Sequence, residues 1–295
     1  MTAPAGRGTL VLVATPIGNL GDLSPRAREV LADAALLCCE DTRRTRALLS
    51  AMGIGASGPD GDRLLSLHEH NEESRVARVR QVLAAGGTVA VVSDAGTPGI
   101  SDPGSLLVAA LAAEGEAVST VPGPSSVLGA LVVSGLPTDR FCVEGFLPRK
   151  GAARRARVAA VMADQRTTVV LEAPGRVAAT LEDLAAHDPD RPLALVRELT
   201  KLHEEVWRGT LAQGAERWGD EAPRGEVVLV VGGAAAPGPV DDEAIETAVR
   251  ERLSEPGAAE EGVRQLADQV ATELGIGRKR VYDLVLALRS EAGSP

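Results

Sequence analysis

Aromatic residues are the scarcest class in this chain, with two phenylalanines, two tryptophans and one tyrosine among 295 residues. This scarcity makes base stacking on an aromatic platform at most a minor device for binding RNA. Cysteine is rare as well, and Cys38, Cys39 and Cys142 lack metal-ligand spacing. An adjacent pair cannot readily close an unstrained disulfide, so we expect buried thiols and no metal site.

Long apolar runs are also missing. Residues 1–8 contain one Arg and no apolar stretch of signal-peptide length, and charge or glycine interrupts every later stretch before it could span a membrane. We therefore expect a cytoplasmic protein with no membrane partner. The net charge of −10 argues against non-specific coating of nucleic acid, although it leaves room for a local basic face.

Basic residues concentrate in three clusters, at 43–46, 149–157 and 278–280. Each could be a solvated helix face, which is the ordinary role of such a run. If RNA is the partner, phosphate contacts through these side chains must carry most of the affinity. The candidate RNA-binding residues are Arg43, Arg149, Lys150, Arg154 and Arg155.

Strand-like and helical patterns alternate through the first half of the chain. Residues 9–14 predict a buried strand, and residues 24–34 predict a helix with Ser24 as its N-cap and Pro25 at its first position. Further helices are expected at 74–85 and 103–114. This alternation predicts an α/β domain with a largely parallel sheet over residues 1–122.

The second half has more strands per helix, which predicts a mixed sheet over residues 123–236. Residues 233–239 form a linker rich in Ala, Gly and Pro, and residues 237–295 contain only helical periodicity. We expect a small helical appendage there. The periodic apolar positions are Leu266, Val270, Leu274, Val281, Val285 and Leu288.

A loop at residues 93–104 follows the buried strand pattern at 89–92. Its glycines allow the backbone to approach a ligand closely, and its prolines restrict the loop. Asp94 and Asp102 contribute two carboxylates without a neighbouring Lys or Arg. Such a loop at a strand end suits a neutral or cationic ligand better than a naked phosphate.

Three other polar segments, at 15–20, 40–43 and 68–72, also follow predicted strands. The carboxyl ends of parallel strands meet at one edge of a sheet, so these segments should share a cleft with the 93–104 loop. This convergence is the physical argument for a site.

Six motifs in order give a specific resemblance. The chain closely resembles the small-subunit ribosomal RNA cytidine 2′-O-methyltransferases of the tetrapyrrole-methylase superfamily over about residues 8–232. The final helical region is similar in placement. The motifs are 15–20 (TPIGNL), 40–43 (EDTR), 67–72 (LHEHNE), 93–98 (SDAGTP), 122–126 (PGPSS) and 146–148 (FLP).

The resemblance implies a two-domain α/β fold of class III S-adenosylmethionine methyltransferases, with S-adenosylmethionine in a cleft between the domains. It also implies a homodimer and a cytidine acceptor in the decoding region of 16S rRNA within the small ribosomal subunit. The family does not use the glycine fingerprint of Rossmann methyltransferases. In agreement, Gly18 and Gly21 lack a third glycine that would complete it.

The family's cofactor-binding positions can be carried over residue by residue. Asp94 or Asp102 would lie near the polar or cationic part of the cofactor, and Ser125 and Ser126 would hydrogen-bond it, unless they only cap a helix. Leu171 and Gly175 replace an aromatic residue and a His of the family's pattern, so that His is absent here. The positions that would line the cofactor are Pro16, Ile17, Gly18, Gly96, Thr97, Pro98, Ile100 and Leu171.

Transfer of a methyl group to a hydroxyl oxygen requires a group that positions the oxygen and removes its proton. The alternative for the two histidines is a structural hydrogen bond or a phosphate contact, and the alternative for Lys201 is a surface ion pair with Glu204 or Glu205. The candidates for the catalytic role are His68, His70, Glu72, Glu40, Asp41 and Lys201.

Two other functions remain open at this point. A methyltransferase of the same superfamily could act on a tetrapyrrole or another small acceptor. A non-catalytic nucleotide-binding module would bind a ligand without transferring a group.

Overall fold

The computed structural model describes residues 8–58, 61–68, 70–235, 241–254 and 261–292. Its contacts divide the chain into two units, Met1–Ala234 and Ala235–Pro295. Most of the predicted linker, residues 236–239, lies outside the described residues, and so does Glu69 of the 68–72 segment.

The first sheet has five strands in the order β5-β2-β6-β1-β7, and every pairing is parallel. Every residue of β2 and β6 is buried because helices cover both faces of a parallel sheet. The predicted parallel sheet is confirmed. The strands are β1 (Thr9–Val13), β2 (Leu36–Cys39), β3 (Ser57–Gly58), β4 (Gly61–Asp62), β5 (Leu64–Ser66), β6 (Val89–Val92) and β7 (Ala117–Val121), of which β3 and β4 form a separate antiparallel pair.

Four helices accompany this sheet: α1 (Pro25–Asp33), α2 (Thr42–Ala51), α3 (Glu72–Ala84) and α4 (Ser105–Ala113). The side chain of Ser24 caps α1 through the Ala27 amide, as its position before Pro25 predicts. Helix α3 begins two residues earlier than predicted, since Glu72 and Glu73 suit a first helical turn. Helix α4 begins two residues later than predicted, because Gly104 has a φ of 124°.

The second sheet has the order β11-β10-β12-β9-β8. Only β8 and β9 pair in parallel, and the other pairings are antiparallel, so the predicted mixed sheet is confirmed. The strands are β8 (Phe141–Phe146), β9 (Thr167–Glu172), β10 (Pro192–Arg197), β11 (Glu205–Thr210) and β12 (Val227–Val231).

Helices cover both faces of the second sheet. Helix α5 (Ser126–Ser134) follows β7 and packs Val127, Ala130 and Leu131 on one face, whereas three later helices pack on the other. These later helices are α6 (Gly151–Ala163), α7 (Val177–Ala185) and α8 (Leu211–Trp218). Short 3₁₀ helices at Leu20–Asp22 and Pro174–Arg176 complete this unit.

The second unit consists of α9 (Asp242–Leu253), α10 (Val263–Glu273) and α11 (Arg278–Ala292) in its described part. Of the six positions with predicted helical periodicity, five are buried in its core and Leu274 is partly buried against it. Ile245 and Val249 of α9 complete this core. The helices therefore pack on one another. Among the described residues, no helix is both long enough and apolar enough to cross a bilayer.

Candidate functional site

The loops after β1, β6 and β7 are tied together at the carboxyl edge of the first sheet. Thr15 and Gly96 exchange two backbone hydrogen bonds of 2.9 and 3.0 Å. The Ser93 hydroxyl donates to the Gly96 carbonyl at 3.1 Å, and the Thr97 hydroxyl donates to the Pro124 carbonyl at 3.2 Å. Gly96 has a φ of 85°, a conformation that favours glycine. These bonds give the edge a fixed backbone framework.

Three cavities open along this edge, and they contain many of the predicted site residues. The first, of about 500 Å³, is lined by Ile17, Ser125, Leu128, Leu199 and Thr200 among others. The second, of about 660 Å³, is lined by Glu40, His68, His70, Glu72, Ser101 and Asp102 among others. The third, of about 160 Å³, is lined by Thr15, Pro16, Gly18, Arg44 and Asp94 among others.

Carboxylates concentrate at the second and third cavities. Burial, with the nearby charge of Glu40, raises the pKa of Asp102 to about 6. Burial and the charge of Asp94 also raise the pKa of Glu40. Asp94 accepts hydrogen bonds from the Asp41 amide at 3.1 Å and from Arg44 at 3.2 Å. A cation placed here would relieve the mutual repulsion of the carboxylates.

Asp41 is committed to a structural role. It caps α2 by accepting from the Arg43 amide at 2.8 Å, and the Arg43 guanidinium lies 3.0 Å from its second oxygen. The hydrogen bonds from the Arg43 side chain and backbone lower the pKa of Asp41 to about 2. A carboxylate held so firmly in its charged form is a poor proton acceptor.

Glu72 also makes a structural contact. It is 3 % exposed and accepts a hydrogen bond from the Leu107 amide at 3.0 Å. Leu107 lies in the first turn of α4, whose N-cap, Gly104, has no side chain. Glu72 therefore replaces the missing cap from 35 residues away.

His68 and His70 are exposed at the mouth of the second cavity. Their ring centroids are 6.2 Å apart in an edge-to-face arrangement. The His68 amide donates to the Asn71 side chain at 2.8 Å, which holds this segment against the start of α3. Both imidazoles can therefore meet a substrate that enters the cavity.

Lys201 forms ion pairs, but its partners differ from those predicted. Its Nζ lies 2.9 Å from Glu198 and 3.2 Å from Glu226. Glu204 instead accepts from the Thr200 amide, and Glu205 pairs with two arginines, because the turn after β10 directs both away from Lys201.

The stem of Lys201 packs on the loop after β1. A Cβ added to Gly18 would lie only 2.3 Å from the Lys201 Cγ. Glycine at position 18 thus allows the loop after β1 of the first sheet to contact the turn after β10 of the second sheet. Lys201 therefore packs on the loop after β1 while its Nζ pairs with Glu198 and Glu226.

Ser125 is the N-cap of α5, because its Oγ accepts from the Leu128 amide at 3.3 Å, and it also lines the first cavity. Ser126 is the first residue of that helix. Pro98 is buried, whereas Ile100 is exposed. Leu171 is partly buried and is not among the residues that line the three cavities described above.

The prediction that Arg154 contacts RNA is wrong. It is 8 % exposed, and its guanidinium donates to Asp183, Thr180 and the Pro148 carbonyl at 2.6 to 3.2 Å. These internal bonds leave it unavailable to a phosphate.

The other members of the basic clusters differ in whether an ion pair already occupies the side chain. Arg149, Lys150 and Arg155 are exposed and have no ion-pair partner among the described residues. In contrast, Arg278 pairs with Asp268 and Arg280 pairs with Asp242 inside the helical unit.

Sequence reasoning missed the turn at Leu199 and Thr200, which lines the first cavity. Glu198 and Thr200 have φ values of 51° and 67°, in the left-handed region. The Thr200 hydroxyl oxygen is buried and has no hydrogen-bond partner among the described residues.

The parallel sheet, the mixed sheet and the cavities at their loops define an α/β protein with the class III methyltransferase fold. A uroporphyrin-III C-methyltransferase from Thermus thermophilus, solved in complex with S-adenyl homocysteine, shares this fold with a TM-score of 0.51 and 23% identity over 76% of this chain and 97% of the other. Residues 9–215 match the family of Tetrapyrrole (Corrin/Porphyrin) Methylases, and the chain belongs to that family.

Two relatives are similar over most of their length. The ribosomal RNA small subunit methyltransferase I of Mycobacterium tuberculosis (strain CDC 1551 / Oshkosh) is 44% identical over 290 residues, which cover 98% of each chain. The protein of the same name from Xylella fastidiosa (strain Temecula1 / ATCC 700964) is 51% identical over 231 residues, covering 77% of this chain and 82% of the other. The family resemblance drawn from the six motifs is confirmed.

Proposed function

We propose that this chain transfers a methyl group from S-adenosylmethionine to the ribose 2′-oxygen of a cytidine in the decoding region of 16S rRNA. The observation that carries the proposal is the 44% identity, over 98% of both chains, to a protein named ribosomal RNA small subunit methyltransferase I. The exposed histidines beside the carboxylate-lined cavity support an acceptor that must lose a proton.

The residues at the sheet edge fit S-adenosylmethionine. The first cavity has a volume of about 500 Å³, within the usual range for small-molecule sites, and its lining includes Thr200, whose hydroxyl has no hydrogen-bond partner among the described residues. Asp102 lies where a positive charge would be stabilised, and Asp94, next to it in the same loop, already pairs with Arg44. When bound, the cofactor supplies an electrophilic methyl group on a sulfonium. We assign its binding to the loops at 15–18, 94–102 and 123–126; Leu171, which lines none of the three cavities, is not part of this assignment.

We assign proton removal from the acceptor hydroxyl to His70, with His68 beside it. A neutral imidazole can accept a proton and hold it within hydrogen-bond distance of the donor oxygen. Asp41 and Glu72 are less suited because Arg43 and the Leu107 amide already occupy their oxygens. Positioning of the ribose oxygen would contribute several kcal/mol, on the order found for oriented reactants.

The proposed partner is 16S rRNA in the assembled small subunit, in the cytoplasm. Arg149, Lys150 and Arg155 are the exposed cations that we assign to its phosphates, with Arg43 as a further contact. We also propose a homodimer, which sedimentation of the purified chain would test.

The deciding experiment incubates the chain with labelled S-adenosylmethionine and small subunits from cells that lack the activity. Label should enter one cytidine, and that position should resist alkaline cleavage because its 2′-oxygen is blocked. Subunits that already bear the methyl group are the control and should take up no label. Transfer to a tetrapyrrole instead, or cofactor binding without any transfer, would contradict the proposal.

The same assay tests the assigned base. His70→Ala should abolish transfer while leaving cofactor affinity, measured by calorimetry, within about twofold of the wild type. His187→Ala is the matched control, because His187 is exposed and lines none of the three cavities. Wild-type turnover in the His70→Ala variant would remove His70 from the mechanism.

A further inference from the structure

The turn at residues 198–201 has an unusual backbone conformation. Glu198 and Thr200 have φ values of 51° and 67°. Glycine and asparagine adopt this left-handed region readily, whereas a β-branched threonine adopts it only under strain. Strain of this kind persists where the surroundings fix the backbone, and it points to a role for the residue that bears it.

Ion pairs and close packing fix this turn. The Glu198 carboxylate accepts hydrogen bonds from the Lys201 Nζ at 2.9 Å and from the Glu226 amide at 3.0 Å. Leu199 lies against α5, where a Cβ added to Gly129 would be 2.7 Å from its Cδ2. The stem of Lys201 packs on the loop after β1, as described above. The turn is therefore held from three sides and cannot relax.

Thr200 also has a polar group that the fold leaves unused. Its hydroxyl oxygen is buried and has no hydrogen-bond partner in the part of the chain that the structure describes, although the residue lines the first cavity. A buried polar atom without a partner calls for an explanation, and a ligand beside it supplies one. Rotation about the Cα–Cβ bond can turn the hydroxyl toward such a ligand without moving the fixed backbone.

The rest of the first cavity suits a nucleoside. Among the described residues that line it, polar side chains come from Asp22, Ser125 and Thr200, and the others are glycine, proline or aliphatic. A purine has apolar faces and polar groups at its edge, so it fits an apolar wall with few polar groups.

The first cavity adjoins the 93–104 loop. Ile17 and Pro124 line the cavity; a Cβ added to Gly96 would lie 3.4 Å from the Ile17 side chain, and the Thr97 hydroxyl donates to the Pro124 carbonyl at 3.2 Å. Asp102 of the same loop lines the second cavity, which we assign to the acceptor. Because the methyl-bearing sulfonium must lie beside the acceptor, the adenosine half of the cofactor falls to the first cavity.

We propose that the first cavity holds the adenosine half of S-adenosylmethionine and that the Thr200 hydroxyl hydrogen-bonds it. Glu198 and Lys201 are the positioning residues that keep Thr200 in its strained conformation. The inference rests on the proposed function, and it identifies the group that recognises the nucleoside at that site.

The test measures the binding of two probes by calorimetry: S-adenosylhomocysteine, and 5′-methylthioadenosine, which lacks the amino-acid part. Thr200→Val removes the hydroxyl and keeps the shape of the side chain. It should weaken both probes by the same factor, about 2- to 12-fold, as expected for one hydrogen bond. Thr200→Ser should restore both affinities. The melting temperature of Thr200→Val should not fall, because the hydroxyl has no partner in the fold.

Lys201→Met tests the positioning role. Methionine keeps an apolar stem against Gly18 and loses the ion pair with Glu198. It should weaken both probes in the wild-type background and change little in the Thr200→Val background, because the two residues act through one contact. Equal losses in the two backgrounds would contradict the positioning role.

Thr120→Val is the matched control. Thr120 is exposed on β7, lines none of the three cavities and donates its hydroxyl to the Leu12 carbonyl at 3.2 Å. The affinities of both probes should stay at the wild-type values in this variant.

Three results would overturn the inference. Unchanged affinities in Thr200→Val would leave the hydroxyl without a ligand. A loss for S-adenosylhomocysteine alone would assign it to the amino-acid part of the cofactor, and altered sedimentation with unchanged affinities would assign the cavity to a second copy of the chain. Failure of the proposed function gives a different result, since the wild type would then bind both probes but transfer no label to rRNA.

Discussion

Replacing Glu72 tests whether this residue caps helix α4 or acts as a catalytic carboxylate. The structure gives its side chain a defined hydrogen bond from the Leu107 amide. Glu72→Ala leaves the Leu107 amide without its acceptor at the start of α4. An unsatisfied buried donor costs about 1–3 kcal/mol. At roughly 2–4 °C per kcal/mol for a unit of this size, the melting temperature should fall by about 2–12 °C.

Glu72→Gln refines the test. Its amide oxygen can still accept from Leu107, but the bond loses the charge of the acceptor, at a cost of about 1 kcal/mol and about 2–4 °C. Methyl transfer should remain near the wild-type kcat, because the position of α4 is preserved. Calorimetric melting and initial rates on small subunits give the two readouts.

Glu73→Ala is the control for Glu72, since Glu73 is exposed in the same first turn of α3. It should change stability by only a few tenths of a kcal/mol, as expected for one charge at a helix N-terminus. A Glu72→Gln variant that melts like the wild type but transfers no methyl group would refute the cap and establish Glu72 as a proton acceptor.

Three further predictions concern charge and packing. Because burial and a neighbouring carboxylate raise the pKa of Asp102 from 3.8 to about 6, this group binds more protons in the folded than in the unfolded chain between those values, and its contribution to the unfolding free energy should fall as pH rises through that window. Urea denaturation at several pH values should show the wild type losing stability relative to Asp102→Asn across the window; parallel curves would contradict the assignment. Gly18→Ala should destabilise the fold by about 1–3 kcal/mol through the Lys201 stem, and much less in a Lys201→Ala background. Equal losses in both backgrounds, in a double-mutant cycle, would disprove that contact. Charge reversal of Arg149 and Lys150 should weaken subunit binding and reduce its salt dependence, by about 0.7–0.9 in log–log slope for each lost phosphate contact; an unchanged slope would make both residues solvated surface.

Local patterns predicted most of the secondary structure. The Ser24-Pro25 pair marked the start of α1, and the run at residues 89–92 marked a strand buried on both faces. The apolar positions from Leu266 to Leu288 anticipated the core of the helical unit. These features depend on neighbours in sequence, so a pattern can reveal them.

The candidate site was predictable only in part. Six motifs indicated the family, and the rule for parallel strands brought the Asp102 loop and the histidine segment to one cavity. The same reasoning assigned Arg154 to RNA, because a basic run does not show which of its members is buried. Likewise, it proposed Glu204 or Glu205 for Lys201, because sequence distance does not determine where a turn directs its side chains.

The sequence by itself determined the parallel sheet, the mixed sheet, the C-terminal helical unit and the family. Periodicity, capping residues and ordered motifs are properties of short segments. Tertiary structure alone decided what each polar group touches. Glu72 meets the Leu107 amide from 35 residues away, and burial together with the charge of Glu40, which follows another strand, raises the pKa of Asp102. Burial and charge act through space, so the chemistry of these groups is set by packing between distant segments.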